Sequence, residues 1–130
     1  MIVHFPVGLL ISGVVFEIYG SLRNDEVAET AGRYNIRFGF WCLFPVLLVG
    51  FLGMISLENT EEFKDYLSSH LTFALCTAGL FFSAMLASRY LRQPFGRALY
   101  FIIIGIGGIC VLTTGYFGGE LVHRFGVSTH

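Results

Sequence analysis

Charge is scarce in this chain of 130 residues. Charged side chains make up 13% of the sequence, and the formal net charge at pH 7 is −1. This balance gives no reason to expect nucleic acid or a highly charged substrate as a partner. Apolar residues instead reach 55%, with a mean hydropathy of +0.71, well above the level typical of a soluble domain. The composition therefore predicts a single domain surrounded by lipid.

The sequence also lacks the motifs of hydrolytic metal sites and of thiol chemistry. It contains no HExxH motif, and no carboxylate pair accompanies the histidines within the apolar runs. Cys42, Cys76 and Cys110 fit no metal-ligand spacing and each lies in an apolar run, which is typical of small side chains packed between helices. No basic leader precedes the first apolar run, so we expect it to be retained. No catalytic residue is predicted.

Four apolar stretches have the length of about 20 residues that a helix needs to cross a bilayer. They cover residues 2–22, 36–57, 70–91 and 99–119. The polar connections between them are short, and short connections favour antiparallel neighbours. The sequence therefore predicts an all-α fold, an integral membrane up-and-down four-helix bundle.

Basic residues are distributed unevenly between the two ends of this bundle. One end, the arginine end, carries Arg23, Arg33, Arg37, Arg89, Arg92 and Arg97, whereas the opposite end has only Lys64 and Arg124. The positive-inside rule places the arginine end in the cytoplasm and both termini on the outer side. An acidic rim at the opposite end agrees with this orientation; it consists of Glu58, Glu61, Glu62 and Asp65.

All four histidines fall at the end opposite the arginines, which we call the histidine end. They are His4, His70, His123 and His130. Small residues follow the first three along the helices: Gly8 and Ser12 after His4, Ala74 and Thr77 after His70, and Gly119 and Gly115 before His123. At these spacings they lie on the same helix stripe as the histidine. The pattern therefore predicts imidazoles beside gaps between helices.

Two interpretations of this pattern remain open. Small residues in membrane helices commonly serve close helix packing. Alternatively, they leave room for a flat macrocycle whose iron is held by the imidazoles, and the best-fitting cofactor is haem b. Zinc and copper also bind imidazole, but the apolar setting favours haem. We therefore predict His4, His70 and His123 as metal ligands, with Gly8, Gly115 and Gly119 lining the cofactor site.

Two further ionisable residues lie near the helix ends. Glu17 is within the first helix, where an ionisable group must be paired or hydrated, and Arg89 is its expected partner. A structural ion pair and a proton-relay role both remain open for Glu17. Glu120 precedes His123 by three residues and is a candidate to orient its ring. Trp41, Tyr34, Tyr90 and Tyr100 are expected as interfacial anchors at the arginine end.

Three segments resemble a known family. They are His4-Phe5-Pro6-Val7-Gly8-Leu9-Leu10 at the start of the first helix, His70 at the start of the third, and Gly118-Gly119-Glu120-Leu121-Val122-His123 after the fourth. Together they resemble the domain of unknown function 2231 family of four-helix bacterial membrane proteins. The resemblance implies a bacterial inner membrane location, and it implies electron transfer and haem, because a related branch is joined to cytochrome c modules of the planctomycete type. Many members carry an aromatic residue at the position of His123, which favours His4 and His70 as the ligand pair.

The leading hypothesis is a b-type cytochrome subunit that is not itself an enzyme. Two of His4, His70 and His123 would ligate the haem, and electrons would pass to or from a c-type cytochrome or a larger respiratory or photosynthetic complex. Self-association into a homo-oligomer stays open. One alternative is a cofactor-free structural subunit of a larger membrane assembly. Another is metal uptake or sensing through the outer histidines.

Overall fold

The computed structural model describes residues 4–56, 61–90 and 93–125, and this part of the chain is helical. It forms α1 (His4–Arg23), α2 (Glu26–Ser56), α3 (Glu61–Tyr90) and α4 (Phe95–Phe125). All four helices are long and apolar enough to cross a membrane. The predicted all-α membrane bundle is therefore confirmed. Glu58, Arg92 and His130, named above, lie outside the described residues.

Two of the helices begin well before the apolar runs that predicted them. α2 begins at Glu26 and α3 at Glu61, in segments expected to be polar connections. Hydropathy marks the part of a helix inside lipid, whereas backbone hydrogen bonding continues into charged sequence. Asp25 fixes the start of α2, because its Oδ1 accepts hydrogen bonds from the amides of Val27 at 3.0 Å and Ala28 at 3.1 Å. The turn between α1 and α2 is correspondingly tight.

The bundle is built from two closely packed helix hairpins. α1 packs mainly on α2 and α3 mainly on α4, and the hairpins meet along lighter seams between α1 and α4 and between α2 and α3. The α1–α2 contact is close enough that a Cβ atom on Gly32 would lie 2.7 Å from the backbone nitrogen of Glu17. Small residues permit this approach, as in many membrane helix pairs.

Apolar side chains occupy both the interior and the outer surface of the bundle. Leu10, Phe81 and Ile104 are fully buried in one central cluster, while Leu48 and Ile109 are among many large apolar residues that lie exposed on the outside. In a bilayer, these exposed side chains meet hydrocarbon. Because lipid is as apolar as the core, packing and polar contacts must decide how the helices associate.

Candidate functional site

His70 is anchored to α4 by one of its two ring nitrogens. Its Nδ1 lies 2.9 Å from the carbonyl oxygen of Thr114, and a carbonyl can only accept a hydrogen bond. Nδ1 therefore carries the proton in neutral His70, and the lone pair stays on Nε2. The ring also lies against Gly118, where a Cβ atom would come within 3.2 Å of Cε1. This is the arrangement typical of a metal-ligating histidine, with one nitrogen fixed by the backbone and the other free to bind.

His70 contributes to the wall of a small apolar cavity at the centre of the bundle. All four helices line it, with residues such as Pro6, Leu47 and Val111 around the histidine. Its volume is about 40 Å³. That is room for a few water molecules at about 10–15 Å³ each. Sites for drug-sized ligands have about 300–1,000 Å³. A porphyrin does not fit in this cavity with the hairpins at their present separation.

His4 lies on a different surface, along the seam between α1 and α4. His4, Val7, Ile11 and Val14 recur at spacings of three and four residues and so form one stripe of α1. A Cβ atom on Gly108 of α4 would lie 3.7 Å from Val14, which identifies this stripe as the one facing α4. The helices run antiparallel with equal rise, so going back ten residues from Val14 corresponds to going forward ten from Gly108. His4 is therefore level with about residue 118.

Each of the three glycines predicted to line a cofactor has open space beside it. Gly115 and Gly119 follow Gly108 by seven and eleven residues and so continue its stripe on α4. A Cβ atom built on Gly8, Gly115 or Gly119 would have no other atom within 4 Å beyond its own helix. Gly8 does not share this seam, because it follows Val7 by one position and is turned by about 100° from the α1 stripe that faces α4. We call the surface bounded by His4, Gly115, Gly119 and His123 the glycine notch.

The notch and His70 occupy different faces of α4. The ring of His70 contacts Thr114 and Gly118, whereas the notch uses Gly115 and Gly119, the next residue in each case. Adjacent helix positions are turned by about 100°, because a turn holds 3.6 residues. His4 and His123 are exposed, and neither lies in the wall of the central cavity. The structure thus does not bring His4 and His70 to one face of α4, although the resemblance favoured this pair.

Neither the histidines nor other side chains form a larger metal cluster in the part of the chain that the structure describes. Within these residues, no group of three or more His, Cys, Asp or Glu side chains is arranged to hold a metal ion. Glu120, the candidate to orient His123, is engaged by a different residue. Its carboxylate accepts a hydrogen bond from Nε of Arg124, and Nη1 of the same guanidinium lies 3.7 Å from a carboxylate oxygen of Glu62.

A second polar site lies at the arginine end, around Glu17. Glu17 is only 2% exposed, and Tyr100 donates a hydrogen bond of 2.9 Å to its Oε1. Nε of Arg33 lies 4.0 Å from the same oxygen. The predicted partner is therefore wrong: Arg33 of α2 takes the place of Arg89, whose guanidinium lies 5.9 Å from the centre of the Tyr90 ring. Glu17 and Tyr100 are 83 residues apart, and no spacing in the sequence indicates their contact.

Tyr100 is also not the interfacial anchor that its position suggested. It is 8% exposed and belongs to the buried cluster, whereas Tyr34, Trp41 and Tyr90 are exposed as expected of anchors. The reason is its register on α4, which turns the ring toward α1, where the carboxyl group of Glu17 offers an acceptor. A tyrosine near the end of an apolar run can serve either purpose, and only its neighbours decide which.

Glu17 opens onto a polar cavity of about 100 Å³. A second carboxylate in its wall, Glu29, is held by Arg97 at 2.6 Å and by Arg33 at 3.7 Å. Arg97 also donates a hydrogen bond of 3.2 Å to Ser21. The wall thus combines two carboxylates with two guanidinium groups, and it is completed by Tyr100, Phe101, Ser88 and Gln93. With both carboxylates ionised, the group has no net charge.

Comparison with known proteins gives a single finding. A family model described as "Predicted membrane protein (DUF2231)" matches residues 1–130, which is the whole of the chain. The same comparisons find no match among curated proteins and none among solved structures.

Proposed function

The chain belongs to the DUF2231 family of predicted membrane proteins, and from that premise we propose that it is a membrane-bound electron-transfer subunit carrying haem b at the histidine end. The observation that carries the proposal is the glycine notch. Its two glycines, Gly115 and Gly119, face open space, and histidines at the same end of α1 and α4 border it. An open, apolar surface flanked by imidazoles is what a flat iron macrocycle requires.

Within this proposal, His4 and His123 would hold the haem iron. Both side chains are exposed, and they come from the two helices that border the notch. His70 is assigned a structural role, because its ring is on another face of α4 and packs on Gly118. The donor set fits the group, because each imidazole offers a nitrogen to iron and Gly115 and Gly119 present no side chain to the notch. Bound haem b would supply one-electron oxidation and reduction at this site.

The surroundings of the notch restrict where electrons come from. The hydrocarbon core is about 30 Å thick, so a site near one interface serves a partner on that same side. We propose a c-type cytochrome or a larger respiratory or photosynthetic complex as this partner. The distribution of arginines supports an orientation with the histidine end on the periplasmic side of a bacterial inner membrane.

The test is the absorption spectrum of the purified protein supplied with haem, recorded as reduced minus oxidised. We expect b-type bands in the wild type, loss of the bands in His4→Ala and His123→Ala, and retention in His70→Ala. Gly115→Leu should also abolish binding by filling the notch. Gly79→Leu is the matched control, because Gly79 of α3 has equally open space but lies outside the notch. Absence of haem bands from the fully supplied wild type contradicts the proposal.

One observation favours the alternative of a cofactor-free structural subunit. His70 is already bonded to the carbonyl of Thr114, and this contact alone gives it a role in holding α3 to α4. In that case, His70→Ala should impair co-purification with a membrane partner while metal and haem content stay unchanged in all three histidine variants. Elemental analysis of the same samples distinguishes the third hypothesis, because zinc or copper would appear without porphyrin.

A further inference from the structure

We propose that the polar cavity at the arginine end is a water-filled inlet through which the carboxyl group of Glu17 exchanges protons with the aqueous phase on that side. The inference uses residues at the opposite end of the bundle from the glycine notch. It goes beyond the haem proposal and stands whether or not the protein binds haem.

The two carboxylates in the cavity are paired very differently. Glu29 has a guanidinium nitrogen of Arg97 at 2.6 Å and one of Arg33 at 3.7 Å, so its negative charge is directly compensated. Glu17 has a neutral hydroxyl group at 2.9 Å, and its nearest guanidinium nitrogen is at 4.0 Å. Burial of a charge with such weak compensation is costly inside a membrane. Glu17 is therefore the group that can gain and lose a proton most readily.

Other charged groups face this site from the packed helices. α2 contributes Arg33 and Glu29, and Arg37 lies close enough to influence Tyr100. α4 contributes Tyr100 and Arg97, while α3 contributes Ser88, which does not titrate. When a hydronium ion transfers its proton to the carboxylate of Glu17, water is left behind and the cavity group changes from neutral to a charge of +1. The hydroxyl of Tyr100 can accompany this change, because it donates to a carboxylate and accepts from a carboxylic acid.

The cavity provides the route. Its volume of about 100 Å³ holds several water molecules, at about 10–15 Å³ for each. Ser88 and Gln93 in its wall are exposed. Ser88 lies at the arginine end of α3, and Gln93 lies in the turn before α4. The wall offers hydroxyl, amide and charged groups that can bind such waters. A hydrated path therefore leads from the surface to a carboxyl group that is itself almost fully buried.

The first test is infrared spectroscopy of the haem-free protein in lipid nanodiscs over a range of pH. We expect a carbonyl stretch from protonated Glu17 that grows as the pH falls, shifts on transfer to D2O and is absent in Glu17→Gln. Glu62→Gln is the matched control, because Glu62 lies on the exposed rim of the other end. If Glu17→Gln does not fold, Tyr100→Phe should shift the same band by removing its hydrogen bond. A spectrum without a Glu17 band at any pH, or with a band that ignores D2O, refutes the proposal.

The second test locates the inlet. In a variant whose three cysteines are replaced by alanine, Ser88→Cys should react with a membrane-impermeant thiol reagent from the arginine end of oriented vesicles. Ser83→Cys is the control, because Ser83 is exposed on α3 but does not line the cavity. Attachment of the reagent should slow D2O exchange at Glu17 several-fold. The inlet is disproved if Ser88→Cys is unreactive, or if its modification leaves the exchange rate unchanged.

Discussion

The two ends of the bundle use glycine in opposite ways. Near the arginine end, a Cβ atom on Gly20 would lie 2.5 Å from the backbone nitrogen of Glu29, and Gly32 meets Glu17 just as closely. At the histidine end, Gly115 and Gly119 have nothing nearby. The same residue type thus joins α1 to α2 around Gly20 and Gly32 and leaves space along the α4 stripe of Gly115 and Gly119, while Gly118 beside that stripe packs on His70. The comparison teaches that a glycine stripe in a membrane helix has no meaning until its register against the neighbouring helix is known.

The largest expected effect comes from adding one methyl group at each end. Gly32→Ala should lower the free energy of unfolding by about 3 kcal/mol, because the new atom meets the backbone of α1 and forces the helices apart. Gly115→Ala should change it by less than about 0.5 kcal/mol, since that position is open. Unfolding in mixed micelles, followed by circular dichroism, measures both. Equal losses of unfolding free energy in the two variants would contradict the proposed difference between the two glycine positions.

A second contrast tests the void in the interior. Ala84 is completely buried in the bundle and lines none of the described cavities, so Ala84→Val should cost about 2 kcal/mol by overpacking. Ala74 lies in the wall of the central cavity, so Ala74→Val should gain about 0.5 kcal/mol by filling part of it. Opposite signs in the same unfolding assay are the expected result. A loss in both variants would indicate that the cavity closes in the bilayer.

The third contrast concerns tyrosine. Tyr100→Phe should lower the free energy of unfolding by about 1 kcal/mol, because it removes a buried hydrogen bond to Glu17. Tyr116 is 63% exposed, and Tyr116→Phe should therefore leave stability unchanged. Both variants delete the same hydroxyl group, one at each end of α4. If Tyr100→Phe were also neutral, the contact with Glu17 would not contribute to stability.

The smallest effect is expected at the rim of the histidine end. Glu62→Gln removes one exposed partner of Arg124, which keeps its bond to Glu120. Exposed ion pairs contribute little, so we expect no change in unfolding beyond experimental error. A clear loss of unfolding free energy in low salt that disappears in high salt would show that the rim acts as a charged network. Charged contacts would then contribute to stability at both ends of the bundle.

The fold was predictable because bilayer thickness imposes a length that hydropathy reveals directly. Helix starts were less accessible: Glu26 and Glu61 begin helices within charged sequence, where hydropathy has no signal. The grouping of His4, His70 and His123 at one end followed from counting crossings. The sequence does not reveal that His70 lies on a different face of α4 from the other two histidines. That separation depends on how Val14 packs near Gly108 and on the contact of His70 with Thr114.

Partners of buried polar groups were the hardest to foresee. The sequence indicates that Glu17 needs compensation, and it offers Arg89 as a partner because Arg89 lies at a similar depth. Depth follows from the sequence, whereas direction around the helix axis follows from how neighbouring helices pack. Arg33 was available only because α2 continues through residues that hydropathy assigns to a connection.

The tight turn between α1 and α2 has a consequence for how the chain enters the membrane. α1 alone would bring the carboxyl group of Glu17 into hydrocarbon with no compensating charge, whereas Arg33 arrives as soon as α2 follows. We therefore expect the first two helices to insert as a pair during synthesis. Tyr100 can donate its hydrogen bond to Glu17 only after α4 has been synthesised, so the nascent α1–α2 hairpin must keep this carboxyl group hydrated until then.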